Sequence, residues 1–418
     1  MNSSLSVSPI PCPFCGLLCD DLEVAVVAGH ARITSAGCAR AVGLFDVPGQ
    51  GQARVRGLAV APEVAIAAAA SLLAAARRPL IGGLGCDVAG QRAAIALAER
   101  VAGVLEHMHG AAQFRNTLAF QDGGWMTTTL SEVRNRADVI LFAGTDASAF
   151  PRFRERLLTG ASQFGPARRR ILALLPPSEA LPEELGGDLV IPCPREGLAE
   201  LAGVLRARLA GRRADRDPVA GVPGERIEAL LDALRGARYG VLVWNAAELD
   251  FPQADLTVAV LVDLLKDLNR DTRWAGLPLG GNDGGTSAAQ VCAWQTGYPL
   301  RTALTASGPR YDPIGFAAER LLARGEVDAL LWISALDPAR LPPAADCPVI
   351  VLGRADMELA TAPDVFIPVA VPGVQRAGYL HRMDGIVALP LAAPLACDLP
   401  GVAPILTTIT EALDHAAA

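Results

Sequence analysis

The sequence predicts an α/β protein whose parallel sheets are covered on both faces. Three observations carry this. Short runs of continuous apolar residues recur from about residue 60 onward, helical patterns separate them, and one strand–loop–strand–strand arrangement occurs twice. Strands buried on both faces read as unbroken rather than alternating apolar runs. At 418 residues and 51% apolar, the chain has the length for two or three domains with large cores.

Taken in order, residues 62–78 read as helix, 79–83 as strand and 88–104 as helix, with Leu97 and Val101 on one face. Strands follow at 138–143, 171–175, 188–191, 239–244, 328–333, 349–352 and 364–367. In the repeat, Asp138 leads into VILFAGTDA, then ILALL, then DLVIP. Later, Asp328 leads into ALLWISALD, then VIVLG, then DVFIP. This suggests two related Rossmann-like domains. Stretches rich in Pro, Gly and Arg at 211–224 and 276–285 read as crossovers between domains. The first 55 residues differ, being cysteine-rich with an alternating run at 22–27, and read as a small separate unit.

Composition excludes several functions. Net charge is −7 with both signs dispersed, so no basic block points to nucleic acid. Lys266 is the only lysine, which leaves little for Schiff-base chemistry or a phosphate-loop lysine. Residues 1–8 are polar and do not read as a secretory signal, and the most apolar window, 57–76, fits a buried helix better than a membrane span. These features place the protein in the cytoplasm. The acidic pairs Asp20-Asp21 and Glu183-Glu184 read as solvated surface, and no Ser–His–Asp arrangement is defensible.

Of nine cysteines, Cys86, Cys193, Cys292, Cys347 and Cys397 are scattered among apolar neighbours as buried thiols. Cys12, Cys15, Cys19 and Cys38 form a C-x2-C-x3-C-x18-C pattern, which suits a [4Fe–4S] cluster or zinc. The spacing leans toward iron–sulfur. The loop Gly280-Gly281-Asn282-Asp283-Gly284-Gly285 has the glycines of a phosphate cradle, but an acidic residue sits inside it.

The stretch PCPFCGLLCDD, Pro11 to Asp21, resembles the start of the molybdenum/tungsten bis-pterin oxidoreductases, and more closely the B subunit of formylmethanofuran dehydrogenase. Further motifs are similar to the same protein in the same order: RNRAD at 134–138 with Pro151-Arg152, WQTGYP at 294–299, PRYDP at 309–313, GEVD at 325–328 and HRMDG at 381–385. The resemblance implies a truncated form of the bis-pterin fold, a cysteine-rich N-terminal domain followed by two Rossmann-like domains, one interrupted by the other. The expected division is 1–57; 58–110 with 225–375; 111–224; and a C-terminal segment 376–418.

In that family the cysteine cluster relays electrons to a metal held by two pterins and one cysteine or selenocysteine, which precedes a His-Gly pair. The matching stretch here is Glu106-His107-Met108-His109-Gly110, so Met108 stands at the ligand position. A methionine thioether is neutral and cannot replace a thiolate on high-valent tungsten or molybdenum. His107, Met108, His109 and Gly110 therefore read as a vestigial pocket without tungstopterin or molybdopterin. The four N-terminal cysteines read as candidate metal ligands or the vestiges of them. The family's pterin site is also completed by a domain this chain lacks. The resemblance implies a non-redox structural B subunit of a formyltransferase/hydrolase complex, which takes formyl-tetrahydromethanopterin to formate through a methanofuran-like carrier. Its expected partners are a formyltransferase, an amidohydrolase-like hydrolase and a further structural subunit, with no catalytic cofactor on this chain. The alternative is an active bis-pterin formylmethanofuran or formate dehydrogenase.

Overall fold

The computed structural model describes residues 5–160, 162–166, 168–212 and 216–417. The expectations for residues 1–4 and 213–215 lie outside the described residues. The chain divides into two compact units, one of residues 1–110 with 281–418, the other of residues 111–280.

The chain opens with the strands β1 (Leu5–Ile10), β2 (Leu22–Val27) and β3 (His30–Ser35), which form an antiparallel sheet in that order. Next come β4 (Arg54–Val55), β5 (Leu58–Ala59), β6 (Pro79–Gly85) and β7 (Val104–Leu105). In the second unit lie β8 (Val139–Ala143), β9 (Arg170–Leu175), β10 (Leu189–Pro192), β11 (Gly240–Asn245) and β12 (Trp274–Leu279). The chain then returns with β13 (Thr302–Thr305), β14 (Gly308–Tyr311), β15 (Ala329–Ser334), β16 (Val349–Gly353) and β17 (Val365–Pro368). A last hairpin joins β18 (Gly378–His381) to β19 (Ala388–Leu391).

The first unit's main sheet has the order β14-β13-β7-β6-β15-β16-β17-β4-β5. Its centre is parallel, and its antiparallel edges are β13–β14 and β4–β5. The second unit's sheet is wholly parallel, in the order β10-β9-β8-β11-β12. Strands β6, β8, β11 and β15 are buried along their whole lengths, as their unbroken apolar sequences require. The helices Pro62–Ala75 and Val88–Arg100 begin at the residues expected but end three and four residues earlier, where the chain turns into β6 and β7.

The repeat has a physical cause. Both carboxylate oxygens of Asp328 accept the amides of Arg77 and Arg78, which lead into β6, at 2.8 and 2.9 Å. Asp138 does the same for Arg238 and Tyr239 ahead of β11, at 2.8 and 2.9 Å. Asp188 takes the amide of Ile171, and Asp364 that of Val349. Each aspartate thus satisfies the free donors at the amino end of a neighbouring strand, where the ladder supplies no acceptor.

Three expected boundaries move. The sequence reading groups residues 225–280 with the first Rossmann-like domain, yet β11 pairs with β8 and β12 with β11, so the division falls at 280/281. Residues 211–224 lie inside the second unit rather than between domains, and 276–279 belong to β12. The first 57 residues cluster with the first unit, because β4 pairs with β17 and Arg354, 1% exposed, donates to the carbonyls of Leu44 and Asp46.

Candidate functional site

In a doubly wound sheet the ligand crevice lies beyond the carboxyl ends of the strands where the winding direction reverses. In the first unit β6 leads outward to β7 while β15 leads the other way to β16, so that point lies between β6 and β15. Residues 106–110, the glycine loop and Gly16 of the cysteine loop meet there, whereas RNRAD at 134–138 and Pro151-Arg152 lie in the second unit and GEVD at 325–328 lies at the amino end of β15.

Residues 106–110 follow β7. Met108 donates its amide to the Gly83 carbonyl at 3.1 Å, and its side chain packs with the apolar cluster of Leu80, Val104 and Trp332. A Cβ on Gly85 would stand 2.9 Å from Met108 Cε, so this methyl fills the space above the end of β6. His107 is buried. Its Nδ1 accepts the His109 amide at 3.1 Å, which places the ring proton on Nε2, donated to the Asp283 carbonyl at 3.1 Å. Burial, and then the neighbouring His109, pull this imidazole down to about 3. It is a neutral structural hydrogen-bonding group.

Asp283 is the hub. It sits 1% exposed in the left-handed region, φ 53°, within the glycine loop. Its Oδ2 meets His109 Nε2 at 2.6 Å and Arg340 Nε at 3.0 Å, and Arg40 Nη2 lies 3.7 Å from Oδ1. Arg40 and Arg340 also share Asp337, each at 3.6 Å. Burial pushes the Asp283 carboxyl up, but the His109 bond and the two arginines outweigh it and hold it below the ordinary value. The loop is therefore no phosphate cradle. Its carboxylate faces inward, and its glycines are consumed in packing: a Cβ on Gly284, φ 74°, would meet the Cys86 carbonyl at 2.7 Å.

Glu106, also buried, receives Arg301 Nε at 2.6 Å and the His107 amide at 3.0 Å. Burial pushes its carboxyl up to about 7, against the pull of Arg301. Gly110 is a glycine because a Cβ there would lie 2.0 Å from this carboxylate.

Other motif residues of this unit make contacts of their own. Gly16 of the cysteine loop donates to Asn282 Oδ1 at 3.1 Å, and the Met383 amide donates to the Gly16 carbonyl at 2.8 Å. Trp294 stands edge-on to His381 at 5.2 Å, and Tyr298 stacks on Tyr311 at 5.8 Å. Arg40, Arg301, Asp337 and Arg340 escaped the sequence reading, since no spacing ties them to the motifs they serve.

The four N-terminal cysteines are gathered in one region. Cys12, Cys15 and Cys19 are buried on a tight loop in which the Cys12 amide donates to the Cys19 carbonyl at 2.8 Å. Burial, and then mutual repulsion with Cys15, Cys19 and Cys38, raise the Cys12 thiol well above its ordinary value. Cys38 caps the helix Ala39–Phe45, its Sγ accepting the Ala41 amide at 3.5 Å. Among the described residues no three His, Cys, Asp or Glu side chains converge on a metal position, and none of the nine cysteines is in a disulfide. Met108, neutral and packed, does not fit the pterin-bound metal. Cys86, Cys193 and Cys292 are buried as expected, whereas Cys347 and Cys397 are only half-buried.

The second unit's winding reverses between β8 and β11, and its crevice is also filled from within. Glu248 accepts from Thr145, Asn245 and Arg195 at 2.9, 2.7 and 3.1 Å, and Arg195 forks onto Glu179 at 2.6 and 2.8 Å.

No family model matches the chain. It is 31% identical over 401 residues to the B subunit of the tungsten-containing formylmethanofuran dehydrogenase 2 of Methanocaldococcus jannaschii, covering 91% of this chain and 92% of that protein. The chain belongs to the family of formylmethanofuran dehydrogenase B subunits. Within this family it is 32% identical over 377 residues to the B subunit of the formyltransferase/hydrolase complex Fhc of Methylorubrum extorquens, covering 86% of this chain and 97% of that protein. Its fold matches a chain in the crystal structure of the M. extorquens FhcABCD complex with methylofuran. That match has a TM-score of 0.74 and 30% identity, and covers 87% of this chain and 99% of that one. No helix of the described residues is long and apolar enough to cross a membrane.

Proposed function

We propose that this chain is the non-redox B subunit of a cytoplasmic formyltransferase/hydrolase complex that takes formyl-tetrahydromethanopterin to formate through a methanofuran-like carrier. One observation carries the reading: the family's metal-ligand position holds Met108, whose thioether is packed into the apolar cluster beside Gly85. Around it, Asp283, His109, Arg340 and Arg40 pair with one another, so the crevice is held by the chain's own charges. Formyl transfer and hydrolysis are assigned to a formyltransferase and an amidohydrolase-like partner, joined by a further structural subunit. Residues 1–57 are read as the cysteine-rich domain of a truncated bis-pterin fold, with Cys12, Cys15, Cys19 and Cys38 as vestigial ligand positions.

The rival reading, an active tungsten or molybdenum dehydrogenase, draws on the four retained cysteines and on the tungsten-containing relative. Co-expression with the three partners separates the two. The complex should release formate from formyl-tetrahydromethanopterin, contain neither tungsten nor molybdenum, and give no formate-dependent dye reduction. Stoichiometric tungsten or molybdenum with bound pterin would overturn the proposal, as would formate-dependent dye reduction by the wild-type complex.

A further inference from the structure

The amino ends of the second unit's strands carry a feature that the proposed function leaves unused. Two adjoining clefts of about 300 and 560 Å³ share Arg136, Tyr239 and Arg273, and Arg238 and Lys266 complete their basic lining. All four of these basic residues are exposed. Among the described residues neither Arg238 nor Arg273 has a carboxylate within 4 Å, and the Arg136 guanidinium lies over the ring of Phe164, 5.8 Å from its centroid. The carboxylates that line the clefts have their oxygens engaged by backbone amides rather than by the arginines. Asp138 is held by the amides of Arg238 and Tyr239, and Glu132 closes the capping box of the helix Leu130–Arg136. Lys266 pairs with Asp263 at 3.1 Å, so in a chain of net charge −7 it is the guanidinium groups of Arg238 and Arg273 that stand without an ion-pair partner among the described residues. The flanks of the groove carry Met126 and Phe164, 64% and 67% exposed.

We infer that this groove docks an acidic segment of a neighbouring protein of the complex, an inference that rests on the multisubunit reading above. Arginine, tyrosine, methionine and phenylalanine are the side chains enriched at protein interfaces, and unpaired guanidinium groups call for carboxylates. A small-molecule substrate is the weaker occupant, because parallel α/β sheets receive such ligands at the carboxyl ends of their strands and this groove lies at the amino ends.

The test uses the full chain co-expressed with the three proposed partners. Lys266, the chain's one lysine, lines the groove and gives a built-in footprint. Amine acylation at Lys266 should slow at least about tenfold in the complex relative to the free chain, as expected of an amine covered by an interface. Arg238→Glu with Arg273→Glu should weaken retention of one partner by about 100-fold, as lost interfacial charge pairs do, with the melting temperature of the free chain unchanged. Arg238→Gln with Arg273→Gln should give a smaller loss and guards against a folding artefact of charge reversal. If the wild-type complex assembles and both variants assemble equally, with Lys266 labelled at the free rate, the docking inference is overturned and the function stands. If the wild-type chain retains no partner, both fall. Tripolyphosphate bound by the wild type and not by the variants, with assembly unaffected, would make the groove a small-anion site and overturn docking.

Discussion

Replacing Asp283 with alanine tests whether the crevice between β6 and β15 is now a structural core. The substitution removes one buried carboxylate and leaves His109, Arg340 and Arg40 without their shared partner. Breaking a buried ion pair from one side typically costs about 3–5 kcal/mol, because the remaining charge stays desolvated. Here the low end applies. Arg40 and Arg340 keep Asp337 at 3.6 Å, and their side chains are 22% and 35% exposed, so water relieves part of the loss. A cost of about 3 kcal/mol in a unit of this size lowers the melting temperature by about 6–12 °C. Scanning calorimetry on the assembled complex, at one fixed protein concentration, reads this directly, since assembly itself raises apparent stability. Formyl transfer per assembled complex should be unchanged. A shift below about 2 °C would refute the structural reasoning. Lost transfer at unchanged stability would place Asp283 in the chemistry instead.

Three other outcomes follow from the same geometry. Gly110→Ala should cost about 1–3 kcal/mol by overpacking against Glu106, whereas Met108→Leu should cost under about 1.5 kcal/mol, both read by urea denaturation. His107 is held near 3 in the folded chain against an ordinary 6.5, so the folded state binds fewer protons between those values. The His107 contribution to stability should therefore fall as pH drops from about 6.5 toward 3, opposed above about 4.5 by Glu106, whose raised carboxyl has the reverse sign, so His107→Gln should flatten acid-unfolding curves chiefly between about 4.5 and 3. Cys15→Ser should lower assembly yield through loss of packing in the buried loop, with transfer activity per complex nearly unchanged; a large fall in specific activity would give the cysteines a functional part.

The sequence was most informative where one residue type has one physical use. Continuous apolar runs became β6, β8, β11 and β15, because only a strand buried on both faces tolerates them. The repeat was legible through Asp138 and Asp328, each committed to two amides of the next strand. Strand partnership was not legible. An apolar run does not name its neighbour, so β11 and β12 were placed with the wrong sheet and the boundary fell short by 56 residues, from 224 to 280. The cysteine spacing was legible as a cluster, but not the use of Cys38 as a helix cap, which depends on where the helix Ala39–Phe45 begins.

The glycine loop was the hardest segment to read, and its outcome bears on what holds the crevice between β6 and β15 together. Glycines at 281 and 284 and an acid at 283 suggested either a phosphate cradle or a flexible crossover. The loop is the crossover, since the two units divide at 280/281, but it is no phosphate cradle: its positive φ angles turn Asp283 inward, where His109, Arg340 and Arg40 neutralise it. A crevice emptied of an anionic cofactor would leave such arginines desolvated and unpaired, which costs several kcal/mol per ion. An internal carboxylate satisfies them and so preserves the surrounding fold. The second unit does the same with Glu248 and Glu179 on Arg195. Ion pairs at both winding-reversal points hold the two sheets' loops in place, as the proposed assembly role requires.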